Sequence, residues 1–275
     1  MFDIEIELTS DLSSVRTRVF HGGRLVRSYE RGAPRSLLTD AVRYVSSGLA
    51  LRLEVIFEET RIVWAPGAYQ ITLDAFRLVR AARARLAGGS TRTLIDVGCG
   101  SGVVGLNLIA ALDGLEAITL LDLSESALRL AEQNFDGIDQ VVHGAFVLSD
   151  YRSLERGQEF DVAVSNPPYF PSGSVIPRVG QVTMSDEFGL YGSLVDAVGV
   201  HAEKVIMTRS EAFASEIDAI IETRSDLVVS RLASWRAPLP AHLIAPQFLG
   251  RFDDLPSSAH EVEHEVSVLE LCLKS

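Results

Sequence analysis

Four consecutive residues of this chain, Asn166-Pro167-Pro168-Tyr169 within FDVAVSNPPYFPSG, have the types and the order that chemistry needs. A residue before proline is pushed into an extended conformation, so Asn166 should project from the end of the apolar run FDVAVS. Pro167 and Pro168 set their own φ angles and remove two N–H donors. The step that results is stiff and offers acceptors: the Asn166 side-chain oxygen and the Pro167 carbonyl. Two convergent acceptors suit a planar –NH2 group held by both of its hydrogens. Held that way, the nitrogen can turn its lone-pair face toward an electrophile. Tyr169 supplies a flat surface on which an amide or a base can stack, and Phe170 can extend it.

A second cluster lies earlier, in IDVGCGSGVVG, where Gly98, Gly100, Gly102 and Gly105 stand at a strand-to-helix turn. Glycines there permit a tight turn and let backbone N–H groups approach a ligand at a helix N-terminus. Gly100-Ser101-Gly102-Val103-Val104-Gly105 is a GxGxxG, with Asp122 about 20 residues on, as in dinucleotide sites. The earlier register, Asp96-x-Gly98-x-Gly100-x-Gly102, resembles the first motif of class I S-adenosylmethionine-dependent methyltransferases. That resemblance implies a cofactor site of Asp96, Gly98, Cys99, Gly100 and Gly102. It also implies Asp122 and Leu123 at the ribose, and Asp150 with Tyr151 near the adenine. The Asn-Pro-Pro-Tyr step matches the signature of those methyltransferases that act on amide or exocyclic nitrogens, with Asn166 bordering the cofactor. A dinucleotide oxidoreductase would need a hydride-partner site, and none is legible.

The likeness runs over roughly residues 62 to 275. RIVWAPGAYQITLDAFRLV looks like the segment before the first motif in HemK-type protein-glutamine methyltransferases and in the "small" methyltransferases of rRNA and tRNA bases. Pro66 and Thr72 are kept, but the acids of the HemK segment are lost, and residues 1–65 read as strands where that group has helices. The acceptor is therefore a protein amide, a nucleobase amine or a small-metabolite amine, in that order. Tyr69 and Thr72 either line the substrate mouth or cap the next helix. A methyltransferase-like binder without turnover is the non-enzymatic alternative.

These residues need elements to hold them. After Ala68, helical spacing in ITLDAFRLVRAARARLAGG gives way to alternating strands and helices. Strands are expected at 93–98, 117–123, 144–150, 160–166, 204–210 and 226–234, and helices near 102–112, 125–135, 190–200 and 211–223. The last stretch, EVSVLELCLK, should form a final antiparallel strand. The fold class is α/β: a seven-stranded, mostly parallel, Rossmann-like sheet of the class I methyltransferase type after a small β-rich segment. Domain bounds are 1–65, a possible substrate-docking segment, and 66–275, the methyltransferase domain. Within 1–65, hairpins are expected on both sides of a short helix with Thr39 or Asp40 near its start. The Pro-rich 235–260 stretch reads as a long loop, a lid or an interface.

Composition sets outer limits. The 275 residues carry a formal net charge of −12, yet residues 1–65 are neutral, with nine Arg against nine acids. Arg16, Arg18, Arg24, Arg27, Arg31 and Arg35 face one nearby acid, Glu30. They form either a solvated hairpin face or a landing patch for an acidic partner such as RNA. So acidic a body disfavours wide coverage by a phosphate backbone. No secretory signal, membrane span or disulfide framework is legible, and a cytoplasmic protein is expected. HEVEH, His260 to His264, fits the HExxH zinc pattern. Its β-branched alternation reads better as the final strand, and no metal is expected. His143 and Trp64 are expected to pack, and so is the Cys99 thiol inside the turn.

Overall fold

The computed structural model describes residues 2–32, 34–139, 141–151, 159–168, 188–240 and 261–274. Two compact units divide the chain between Asp150 and Tyr151. The first unit opens with β1 (Phe2–Leu8), β2 (Val15–His21), β3 (Arg24–Arg31), β4 (Ala50–Phe57) and β5 (Thr60–Trp64). They form one sheet in the order β3-β2-β1-β4-β5. β1 pairs with β2 antiparallel and with β4 parallel. A parallel neighbour requires a crossover, and α1 (Pro34–Ser46) provides it.

Period-two alternation assigns the faces of this sheet. Ile4, Ile6 and Leu8 align with Leu53, Val55 and Phe57 of β4, and all but a trace of each is buried. Leu38, Ala41, Val42 and Val45 of α1 are buried with them. Helix α1 starts at Pro34 and not near Thr39, earlier than the expected position. A proline at the first helical position gives up no hydrogen bond and has φ already set.

The opposite face is charged. Arg18 pairs with Glu5 and Glu7, and Arg16 with Glu7 and Glu30. Arg61 reaches Glu5 and Glu54, while Arg52 also reaches Glu54. Arg35 pairs with Asp74. Three of the six clustered arginines are therefore engaged with carboxylates of their own unit. Arg24, Arg27 and Arg31 remain, on the exposed edge strand β3, with the guanidiniums of Arg27 and Arg31 5.5 and 5.4 Å from the Tyr29 ring centre.

α2 (Leu73–Leu86) buries Phe76 against Phe57, ring centres 5.2 Å apart, and stops before Gly88 in the left-handed region at φ +72°. Then come β6 (Thr93–Val97), α3 (Val103–Ile109), β7 (Ala117–Asp122), α4 (Glu125–Phe135) and β8 (His143–Leu148), with β6, β7 and β8 parallel. The second unit holds β9 (Phe160–Ser165), α5 (Gly189–Ala197), β10 (Ala202–Ser210), a 3-10 turn at Glu211–Phe213 and α6 (Ala214–Ile221). It ends with β11 (Leu227–Pro240) and β12 (Glu261–Leu273). β9 and β10 are parallel, and β12 runs antiparallel to both β10 and β11.

The seven strands have the order β11-β12-β10-β9-β6-β7-β8, so the α/β architecture expected from the sequence is the one observed. Continuous apolar runs made it legible: Val162, Ala163 and Val164, or Val205, Ile206 and Met207, are fully buried, as strands covered on both faces must be.

Two expectations are corrected. Trp235–Pro240 is not loop but the end of β11, paired with Glu261–Val266 of β12; an edge strand tolerates Pro238 and Pro240 because no further strand needs their missing donors. The rest of that stretch, 241–260, lies outside the described residues. His143 does not pack inside; it is exposed at the start of the edge strand β8. Trp64, in contrast, is buried, and its indole N–H donates to the Tyr69 carbonyl at 2.9 Å. Among the described residues no helix is long and apolar enough to cross a membrane.

Candidate active site

In the first unit the strand β6 leads into a turn that only glycine can make. Gly98, Gly100 and Gly102 have φ of +71°, +57° and +82°, a region costly for any residue with a Cβ. A Cβ on Gly102 would stand 2.7 Å from Leu106 Cδ1. At Gly105 the constraint is packing. There a Cβ would lie 2.9 Å from Ile118 Cδ1 and 3.0 Å from Asp96 Oδ2, so α3 can approach the sheet only because the side chain is absent.

Asp122, at the end of β7, organises the turn. Its Oδ2 accepts from Gly100 N–H and its Oδ1 from Ser124 N–H, both at 2.8 Å. Each oxygen keeps a lone pair for a further donor. Leu123 beside it is exposed. Cys99 is buried as expected, with burial pushing its thiol well above its ordinary pKa.

Asp96 is almost fully buried in β6. Its Oδ2 accepts from Gly105 N–H at 2.8 Å, while Oδ1 has no hydrogen-bond partner among the described residues. Burial first pushes this carboxyl up to about 7; the Gly105 N–H opposes the rise and the nearby Asp122 charge adds to it. The Ser101 hydroxyl, in the same turn, is also buried without a hydrogen-bond partner among the described residues. A turn with an orphaned carboxylate oxygen and hydroxyl suits a ligand that brings donors and positive charge.

The Asp96 shift has a measurable consequence. The native state retains a proton that the unfolded chain releases near 3.8, so stability should fall as pH rises from about 4 through 7. The loss is up to about 4 kcal/mol for the ligand-free protein. Asp96→Asn should flatten that dependence. Melting temperatures of both proteins at pH 5 and pH 8 decide it, and parallel behaviour would mean that Asp96 is ionised throughout.

Asn134 is a member of the site that sequence reading missed. It belongs to the buried face of α4 with Ala127, Leu128 and Ala131. Its Nδ2 donates to Val63 O and Ser101 O, and its Oδ1 accepts from Val63 N–H, each at 2.9 Å. One amide thus ties β5 to the glycine turn. The only signal in the sequence was a polar residue at an apolar position of a helical stripe. Nearby, Ser126 Oγ donates to Gly67 O at 2.7 Å, holding the Pro66–Ala68 segment to the start of α4. Thr72 occupies the N-cap position of α2 without making a side-chain cap bond, and Tyr69 is partly exposed.

Asp150 ends the first unit. Tyr151, in the second, is buried edge-on to His201 with ring centres 6.1 Å apart, and its hydroxyl has no partner among the described residues. Burial raises its pKa.

Also in the second unit, Asn166 follows β9 directly. The Thr208 hydroxyl donates to its Oδ1 at 2.6 Å, and the Tyr191 hydroxyl donates to the Thr208 carbonyl at 2.9 Å. Pro167 is buried and Pro168 exposed. Tyr169 and Phe170 lie outside the described residues. His264 sits in the strand β12, its Nδ1 3.0 Å from Ser210 Oγ; His260 lies outside the described residues. Among the described residues no three His, Cys, Asp or Glu are grouped to hold a metal ion.

Against known families, residues 78–185 match the methyltransferase small domain. The likeness to a methyltransferase read from the glycine turn is thus borne out, since residues 98–105 lie within the matched stretch. The release factor glutamine methyltransferase of Rhodopirellula baltica is 28% identical over 146 residues, covering 53% of this chain and 46% of the relative. The tRNA1(Val) (adenine(37)-N6)-methyltransferase of Shewanella halifaxensis is 32% identical over 95 residues, covering 34% of this chain and 38% of the relative. The matched stretch spans less than half the length of each of these relatives. The chain has the fold of a solved candidate methyltransferase from Bacillus halodurans, at TM-score 0.50 and 11% identity, over 70% of this chain and 97% of that one.

Proposed function

We propose that the chain transfers a methyl group from S-adenosylmethionine to a planar amide or exocyclic amine nitrogen, with a glutamine-type amide of a protein as the acceptor. One observation carries this reading: Asn166 stands at the end of a buried strand, its side-chain oxygen held by Thr208, immediately before two prolines. That oxygen and the Pro167 carbonyl take the two hydrogens of the acceptor –NH2, and Tyr169 stacks on its plane. When bound, the cofactor supplies an electrophilic methyl group. Positioning does most of the remaining work. The nitrogen needs no strong base, since its proton can leave once positive charge has formed.

Most of the cofactor residues in this reading belong to the first unit. Gly98, Cys99, Gly100 and Gly102 give a backbone that it can approach closely. The free lone pairs of Asp122 receive the ribose hydroxyls beside Leu123. The orphaned Asp96 Oδ1 takes a donor, and Asp150 with Tyr151 contacts the adenine. Residues 66–275 form the catalytic domain in this reading, and 1–65 dock the acceptor, through Arg24, Arg27 and Arg31 on β3. The protein works in the cytoplasm.

The relatives that methylate release factors favour a protein amide. A second reading, a nucleobase amine of tRNA or rRNA, is favoured by the tRNA adenine relative and by the three exposed arginines of β3, two of them against the Tyr29 ring. Methyl-labelled S-adenosylmethionine, the protein and cell extract separate the two. Label removed by protease alone supports the amide; label removed by nuclease alone replaces it with the base. No label in any fraction at stoichiometric protein would end the transferase reading.

A further inference from the structure

We infer that Thr208 is a positioning residue: its hydroxyl selects which face of the Asn166 amide meets the acceptor. The inference rests on the methyl-transfer reading above and concerns a residue outside the Asn-Pro-Pro-Tyr step. β9 and β10 are parallel neighbours, with Ile206 beside Val164 and Met207 beside Ser165. The next pair along the two chains is Thr208 and Asn166, whose side chains meet at 2.6 Å, hydroxyl to Oδ1.

An asparagine amide has no strong torsional preference between its two flipped forms. One form presents an oxygen and the other an –NH2, and only the oxygen can receive an acceptor amine. Thr208 breaks the tie. It is fully buried, and its hydroxyl has no other hydrogen-bond partner among the described residues. With the amide flipped, the hydroxyl would accept from Nδ2 and leave its own hydrogen buried and unpaired, which is costly. With the amide as found, the hydroxyl proton is satisfied and Oδ1 keeps its second lone pair for the guest.

Thr208 is itself held in place. Its carbonyl accepts from the hydroxyl of Tyr191, a fully buried residue of α5, at 2.9 Å. The order of control runs from Tyr191 through the β10 backbone and the Thr208 hydroxyl to the Asn166 oxygen. All three residues belong to the second unit.

Thr208→Val keeps the shape and removes the hydroxyl; Thr208→Ser keeps the hydroxyl. Transfer of labelled methyl to cell extract at saturating cofactor should slow about ten- to a hundredfold in Thr208→Val and stay within about threefold of wild type in Thr208→Ser. Affinity for S-adenosylhomocysteine, measured by calorimetry, should be unchanged in both. A second readout needs no acceptor. The Asn166 side-chain NH2 resonances, assigned by their absence from Asn166→Ala, should stay single and sharp in wild type and Thr208→Ser but shift or double in Thr208→Val. If Thr208→Val does not fold, Thr208→Ala takes its place. Wild-type rate and unmoved resonances in Thr208→Val, with Asn166→Ala inactive, would overturn the role of Thr208 and leave the methyl-transfer reading standing. Full activity of Asn166→Ala would overturn both.

Discussion

Asn166→Ala should abolish methyl transfer, by at least about a hundredfold in kcat, while affinity for S-adenosylhomocysteine stays within a few-fold of wild type. The magnitude follows from what removal of one preorganised hydrogen-bonding group at a reacting centre costs in other enzymes, about 10²–10³ in rate. The split follows from the division of labour. The cofactor residues proposed here, apart from Tyr151 and Asn166 itself, all lie in the first unit, whereas the Asn166 side chain is fastened to Thr208 in the second. Removing the side chain leaves Thr208 without its acceptor, but the hydroxyl stays on a strand paired on both sides. The variant should therefore fold, and its melting temperature should lie within a few degrees of wild type. Full activity in this variant would remove Asn166 from the chemistry altogether.

The second large effect is expected in stability. Asn134→Ala strips Val63 of both its partners from this side chain and leaves the Ser101 carbonyl of the glycine turn unanswered. Three hydrogen bonds lost at a nearly buried residue should cost about 2–4 kcal/mol. For a chain of this size that lowers the melting temperature by roughly 5–10 °C. Because Ser101 belongs to the turn that shapes the cofactor site, affinity for S-adenosylhomocysteine should also fall, by about an order of magnitude. Asn166→Ala should show the reverse pattern, with affinity kept and turnover lost. Thermal melts and calorimetric titrations of the two variants side by side give both comparisons. A melt within a degree of wild type for Asn134→Ala would mean that the amide does not tie β5 to the turn.

Much of the fold and part of the site are written along the chain itself. Apolar runs such as Val162–Val164 specify buried strands wherever they occur, and α4 spans 125–135 as its spacing of Ala127, Leu128 and Ala131 requires. The glycines at 98, 100 and 102 are legible because a left-handed backbone demands them locally. The extended exit of the chain at Asn166, Pro167 and Pro168 is legible for the same reason, since proline acts on its own φ and on its immediate neighbour.

Pairings between distant positions were not legible. Asn134 meets Val63 across 71 residues, and Thr208 meets Asn166 across 42. Arg35 finds Asp74 39 residues away, so a basic cluster on paper is half neutralised in space. The parallel partnership of β1 with β4, and the continuation of β11 through Trp235 to Pro240, likewise needed the partner strand to be present. The sequence alone determined which backbone shapes each segment can adopt and which residue types stand where a ligand could be met. Only the tertiary structure decided which polar groups are already occupied and which remain for a ligand, because a buried hydrogen bond depends on what the fold brings within about 3 Å and not on distance along the chain.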